Sequence, residues 1–286
     1  MMHKNTLRGT FSLLGIFTLF ITPLAHAHVK WFVEYDVSAR PLAISTIISS
    51  PIFWSLSIAS IIVMYVGFVV DQRISPIPLI TKWENKLGRH AAAVMRWGIA
   101  LFFIQMVIFF PHMILTPELI SDSANIRYLH LGIAFTALLP STAALSGLGL
   151  IALYLFAVKD FGLIHLLDYT MYWGVIIFML METIYKGRKR DLALHIVRIF
   201  IVFCLLWGGL EKFAHPQLTY NLLAQKPELT FGINPVFFLQ AAAFVEICAA
   251  YLILSGRTAA KIGACILLFF FLIAIIPFGL VVVIAT

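Results

Sequence analysis

Long apolar runs with almost no charge inside them constrain this chain more than any other feature. Runs at about 51–70, 91–111, 162–183, 193–210, 235–254 and 262–285 approach or reach the roughly 20 residues that cross a bilayer core as a helix. The stretch 128–158 is also apolar but is broken by Pro140-Ser141-Thr142, so it reads as one kinked helix or two short ones. Composition agrees: 62% of residues are hydrophobic and 12% charged, against about 45–50% and 25% in soluble domains. That balance excludes a soluble fold and a disordered chain. The runs do not alternate in polarity, which excludes a transmembrane barrel. The expected class is an all-α polytopic bundle of transmembrane helices.

The first 27 residues have a different design. Lys4 and Arg8 precede a short apolar stretch from about Phe11 to Leu24, followed by Ala25-His26-Ala27. A basic start, a short apolar core and an A-x-A site are the parts of a secretory signal peptide. Cleavage after Ala27 is expected, leaving His28 at the mature N-terminus on a short periplasmic segment, 28–50. An α-amine and imidazole on one residue can chelate copper.

Basic residues set the direction of the spans. The loop 71–90 carries Arg73, Lys82, Lys86 and Arg89, and the run Lys186-Gly187-Arg188-Lys189-Arg190 is the densest basic cluster. Both are assigned to the cytoplasm. The loop after 91–111 holds Glu118 and Asp122 against Arg127 and is assigned outside, as is 211–234. The chain must then cross an odd number of times between Arg127 and Lys186. Three crossings give eight spans after cleavage. Seven spans is the rival count, and it puts the basic cluster on the wrong side. The net charge of +7 is thereby a matter of orientation in a bacterial inner (cytoplasmic) membrane, with no call for nucleic acid.

Ionisable groups within apolar runs are the best pointers to function, because they are costly there and face the protein interior or a cavity. His165 and Asp168 stand three apart, with Tyr169 and Tyr172 on or beside their face. His195 and Arg198 repeat the spacing, and Glu246 sits inside the run 235–254 with Gln240 nearby. His165, Asp168, His195, Arg198 and Glu246 are the expected lining of a polar pocket or proton site, with Asp168 or Glu246 as counter-ion to Arg198. A second set, His28, His112 and His130, falls on the outer side and is a candidate copper site, although no H-x-H or H-x3-H spacing supports it. Cys204, Cys248 and Cys265 lie within predicted spans and read as small buried hydrophobes. Glycines 147, 149, 208 and 209 read as close helix contacts.

The C-terminal third resembles the DoxX family of membrane proteins. Arg198 stands in an opening helix, followed by Trp207-Gly208-Gly209-Leu210-Glu211-Lys212-Phe213 and Pro216. After a loop come Phe244-Val245-Glu246, then Ala250, where the family often has glycine, and the turn Gly256-Arg257. The resemblance covers about 192–275 and implies that Arg198, Lys212, Glu246 and Arg257 are the family-like positions. The usual domain has four helices, so the run 162–183 is expected to supply the first. The chain then divides into N-terminal transmembrane helices, 51–158, and a DoxX-like bundle, 159–286. Some DoxX-like proteins resemble a quinone-linked oxidoreductase subunit. The resemblance therefore implies a redox-associated component that binds a quinone or small molecule, working with a partner redox protein. The rival readings are a metal-handling protein that uses His28 with a metal-carrier partner, and a scaffold subunit whose buried charges only set packing.

Overall fold

The computed structural model describes residues 40–73, 82, 86, 88, 90–116, 118–255 and 258–267. The signal peptide, His28 and Arg257 lie outside these residues. Ten α-helices are described: α1 Ile44–Ile48, α2 Pro51–Arg73, α3 Ala91–Phe109, α4 Asn125–Leu138, α5 Ala143–Phe161, α6 Met171–Ile184, α7 Arg190–Ala214, α8 Gln217–Gln225, α9 Pro235–Ser255 and α10 Thr258–Leu267. Short 3-10 turns cover His165–Tyr169 and Pro227–Thr230.

Five helices, α2, α3, α5, α7 and α9, are long and apolar enough to cross a membrane. Eight crossings enlist the shorter α4, α6 and α10 as well. The stretch broken at Pro140 is two helices, α4 and α5. The run expected as one helix over 162–183 divides instead. Gly162, at φ +84, ends α5, the 3-10 turn carries His165 and Asp168, and only then does α6 begin. Between Arg127 and Lys186 the chain thus passes through α4, α5 and α6.

The described residues form two compact units, one spanning 82–204 and the other joining 40–73 with 205–267. In the first unit α3, α4, α5 and α6 pack each on the next. Small residues let the backbones approach. A Cβ at Gly147 of α5 would lie 3.2 Å from the Ile176 carbonyl oxygen of α6, and one at Gly174 of α6 only 2.9 Å from Val197 Cα of α7. The interior is apolar, with Phe103, Ile133, Leu150, Leu153 and Phe178 almost fully enclosed. The outer faces stay apolar too, at Leu101, Ile108, Phe135, Leu148 and Leu155. Apolar residues on both faces are what a lipid solvent selects.

In the second unit α2 packs along α9. Phe53 of α2, Phe213 of α7 and Phe244 of α9 form an aromatic cluster, with ring centroids 5.1–5.6 Å apart. Gly209 brings α7 against α9, where a Cβ would stand 3.0 Å from the Ala243 carbonyl oxygen. Asp71, near the end of α2, accepts from the Thr258 and Ala259 amides at 2.7 and 2.8 Å and caps α10. A helix from the start of the chain therefore packs with the C-terminal helices across more than a hundred intervening residues.

Candidate functional site

The site of greatest chemical interest in the first unit begins in a loop. Residues 110–124 leave the helical pattern after α3, and Met113 and Ile120 form an antiparallel bridge. The Ile114 amide donates to the Leu119 carbonyl at 2.7 Å, and Ser121 to His112 at 2.8 Å. Ile114, Leu115 and Leu119 are fully buried. Irregular backbone at such depth needs partners from the protein. They are supplied: His130 Nε2 donates to the Ile114 carbonyl at 2.9 Å, and Tyr172 Oη to that of Leu115 at 2.8 Å.

This loop delivers Glu118 to the interior, where its side chain is 5% exposed. Glu118 Oε1 meets His165 Nε2 at 2.9 Å and accepts a hydrogen bond from Tyr169 Oη. Both partners come from the 3-10 turn, which Tyr154 of α5 holds by donating to the Leu166 carbonyl at 2.7 Å. Three residues make one 3-10 turn, so His165 and Asp168 eclipse each other along its axis. Asp168 is 2% exposed, and its carbonyl accepts from Cys204 Sγ of α7 at 2.6 Å. Arg198, one turn beyond the half-buried His195 on α7, is also buried in this unit. His165, Asp168, His195 and Arg198 thus share one unit. The sequence reading assigned Glu118 to a solvated outer loop. Its polar neighbours in sequence conceal that the loop folds inward.

Glu246 belongs to the second unit. Lys212 Nζ donates to both of its carboxylate oxygens at 2.8 Å and to the Gly208 carbonyl at 3.3 Å. A Cβ at Gly208 would stand 3.4 Å from Glu246 Oε2, an ordinary contact distance. The Gly208–Lys212 and Glu246 motifs, 34 residues apart at Lys212 and Glu246, therefore form one ion pair. The side chains are 17% and 26% exposed, so the pair sits at the edge of the packed interior.

A third charged group was missed in the sequence. Arg96 of α3 and Glu182 of α6 are almost fully buried and joined at 2.5 Å. The only signal for Arg96 was an arginine inside an otherwise apolar run. Glu182, near the end of α6, is enclosed as well. Of the candidate metal ligands, His112 is exposed, His130 is fully buried on a backbone carbonyl, and His28 lies outside the described residues. Among the described residues no group of three or more His, Cys, Asp or Glu side chains is arranged to hold a metal ion.

Five apolar helices of spanning length, with buried charges that neutralise one another, define a multi-pass helical membrane protein. Residues 193–282 match the DoxX family model, from the first turn of α7 onward, so that segment is similar to DoxX membrane proteins. The match takes in Arg198, Lys212, Glu246 and Arg257. Searches of curated proteins and of solved structures found no match.

Proposed function

We propose that the chain is a redox-associated component of the bacterial inner membrane. It binds a quinone-type ring at the His165–Asp168–Arg198 region and exchanges protons there through Glu118. The observation that carries this reading is the convergence of His165 and Tyr169 on one buried oxygen of Glu118. A carboxylate, an imidazole and a phenol enclosed together form a set whose proton occupancy responds to any polar molecule that enters. The donor set fits a quinone: imidazole, phenol and guanidinium all donate to ring carbonyl oxygens. When bound, such a ring supplies two-electron, two-proton chemistry.

In this reading Arg198 holds a carbonyl or anionic oxygen, His165 and Tyr169 orient the ring, and Asp168 or Glu118 holds the proton. Glu246, with Lys212, acts separately in the second unit. The mature N-terminus lies in the periplasm after signal cleavage, and the Lys186–Arg190 end faces the cytoplasm. A quinone held here would exchange its electrons with a partner redox protein.

The test is the quinone content of protein purified in mild detergent. Wild type is expected to retain extractable lipid quinone, and Arg198→Ala to lose it while still inserting. Asp168→Asn keeps the shape and is expected to retain the ring but lose its pH-dependent release. Unchanged quinone content in Arg198→Ala overturns the binding reading. Degradation of that variant, with no quinone in wild type, favours the scaffold reading.

A further inference from the structure

The opposite end of the first unit pairs a buried guanidinium with a buried carboxylate and sets further, more exposed cations beside them. Arg96 is 6% exposed and is the sixth residue of α3. Helical side chains lean toward the N-terminus of their helix, so its guanidinium lies back along the first turn. Nη1 bonds Glu182, but Nε is buried without a hydrogen-bond partner. Arg190, opening α7, brings a second guanidinium to the same carboxylate at 3.7 Å, beyond hydrogen-bond reach, and its Nε is also unpartnered. Two guanidiniums thus share one carboxylate. The α3 first turn contains no acid, and its N-cap residue, His90, makes no side-chain cap. A helix N-terminus is a favourable place for an anion.

The connecting turn adds charge. Lys186 and Gly187 take positive φ, +48 and +73, and fold the chain beside Arg190, whose Nη2 lies 3.1 Å from where a Gly187 Cβ would stand. Over 186–191, Lys186, Arg188, Lys189 and Arg190 outnumber Asp191. Lys189 is engaged over the Tyr185 ring at 4.4 Å. Directly beside these cations, Ile184 is 63% exposed and Leu192 49% exposed.

We propose that this end binds the phosphate head group of an anionic phospholipid between Arg96, Arg190 and the first turn of α3, with an acyl chain along Ile184 and Leu192. The doubled guanidinium supplies the forked donors that phosphate oxygens favour. The flanking exposed apolar side chains commit the site to a lipid rather than a free ion. This inference is independent of the quinone reading, which concerns the other end of the unit.

The test uses the full chain, purified in mild detergent and stripped of lipid by washing. Phosphatidylglycerol, phosphatidylcholine or inorganic phosphate is then added, and native mass spectrometry and thermal unfolding are recorded. Phosphatidylglycerol is expected to bind at about one per chain and raise the unfolding temperature, with phosphatidylcholine and phosphate doing neither. Arg190→Gln, at a partly exposed side chain, is expected to weaken phosphatidylglycerol about fivefold, the effect of one cation near a lipid surface. The double variant Arg96→Gln/Glu182→Gln removes both buried charges together, avoiding a stranded ion, and is expected to weaken it at least as much. Equal binding of both lipids overturns the proposal, as does unchanged binding in both variants. Stabilisation by inorganic phosphate alone overturns the lipid assignment.

Discussion

The two ends of the first unit solve the same problem differently. At one end a buried carboxylate, Glu118, meets neutral or weakly basic partners, His165 and Tyr169. At the other a buried carboxylate, Glu182, meets a guanidinium that never loses its proton. From Asp168 to Glu182 about 14 residues of chain, roughly 20 Å of helix, separate the two. The first is built from the side-chain types that general acid–base chemistry uses. The second is a fixed charge pair and can only be broken. The proposed exchange site and the ion pair therefore differ in whether the carboxylate's partner is a guanidinium.

The strongest way to break that comparison is Glu182→Ala. It strands Arg96 without its counter-ion and is expected to cost about 3–5 kcal/mol, read as loss of detergent-resistant folding in a thermal scan. Replacing Gly174 with leucine attacks the packing instead. The added atoms collide with Val197 of α7 and are expected to cost about 1–3 kcal/mol, measured in the same scan. Glu118→Gln sharpens the contrast from the exchangeable end. It keeps the acceptor oxygen and the shape but not the charge, with an expected cost near 1 kcal/mol and loss of any pH-dependent ligand release. If Glu118→Gln destabilises as severely as Glu182→Ala, both ends are anchors and the exchange reading falls. Lys212→Met in the second unit is expected to cost about 1 kcal/mol or less, because that pair is partly exposed. Smallest of all is His112→Ala, at an exposed position, with an expected change within about 0.5 kcal/mol.

Much of the architecture was legible in the sequence, for identifiable reasons. Helix class followed from run length and missing alternation. The break at Pro140 marked the α4–α5 boundary because proline cannot continue a hydrogen-bonded helix. Close contacts at Gly147, Gly149 and Gly209 followed from the need of apolar helices for small residues at crossings. The site was only partly legible. His165 and Asp168 stood out as polar residues in an apolar run, whereas Glu118 looked like any acid in a polar loop. Its inward turn depends on His130 and Tyr172, which satisfy loop carbonyls from α4 and α6. Lys212 and Glu246 were both visible as family-like positions, but their pairing is set by the packing of α7 on α9.

The sequence by itself determined that this is a membrane protein made of helices and that its C-terminal third resembles DoxX proteins. Those properties are set by composition and local period, which act residue by residue. Only the tertiary structure decided which groups pair: Glu118 with His165, Arg96 with Glu182, Lys212 with Glu246. It also decided that α2 packs on α9. In a low-dielectric interior each buried charge must find a partner wherever the fold offers one. That choice depends on long-range contacts that no local pattern encodes.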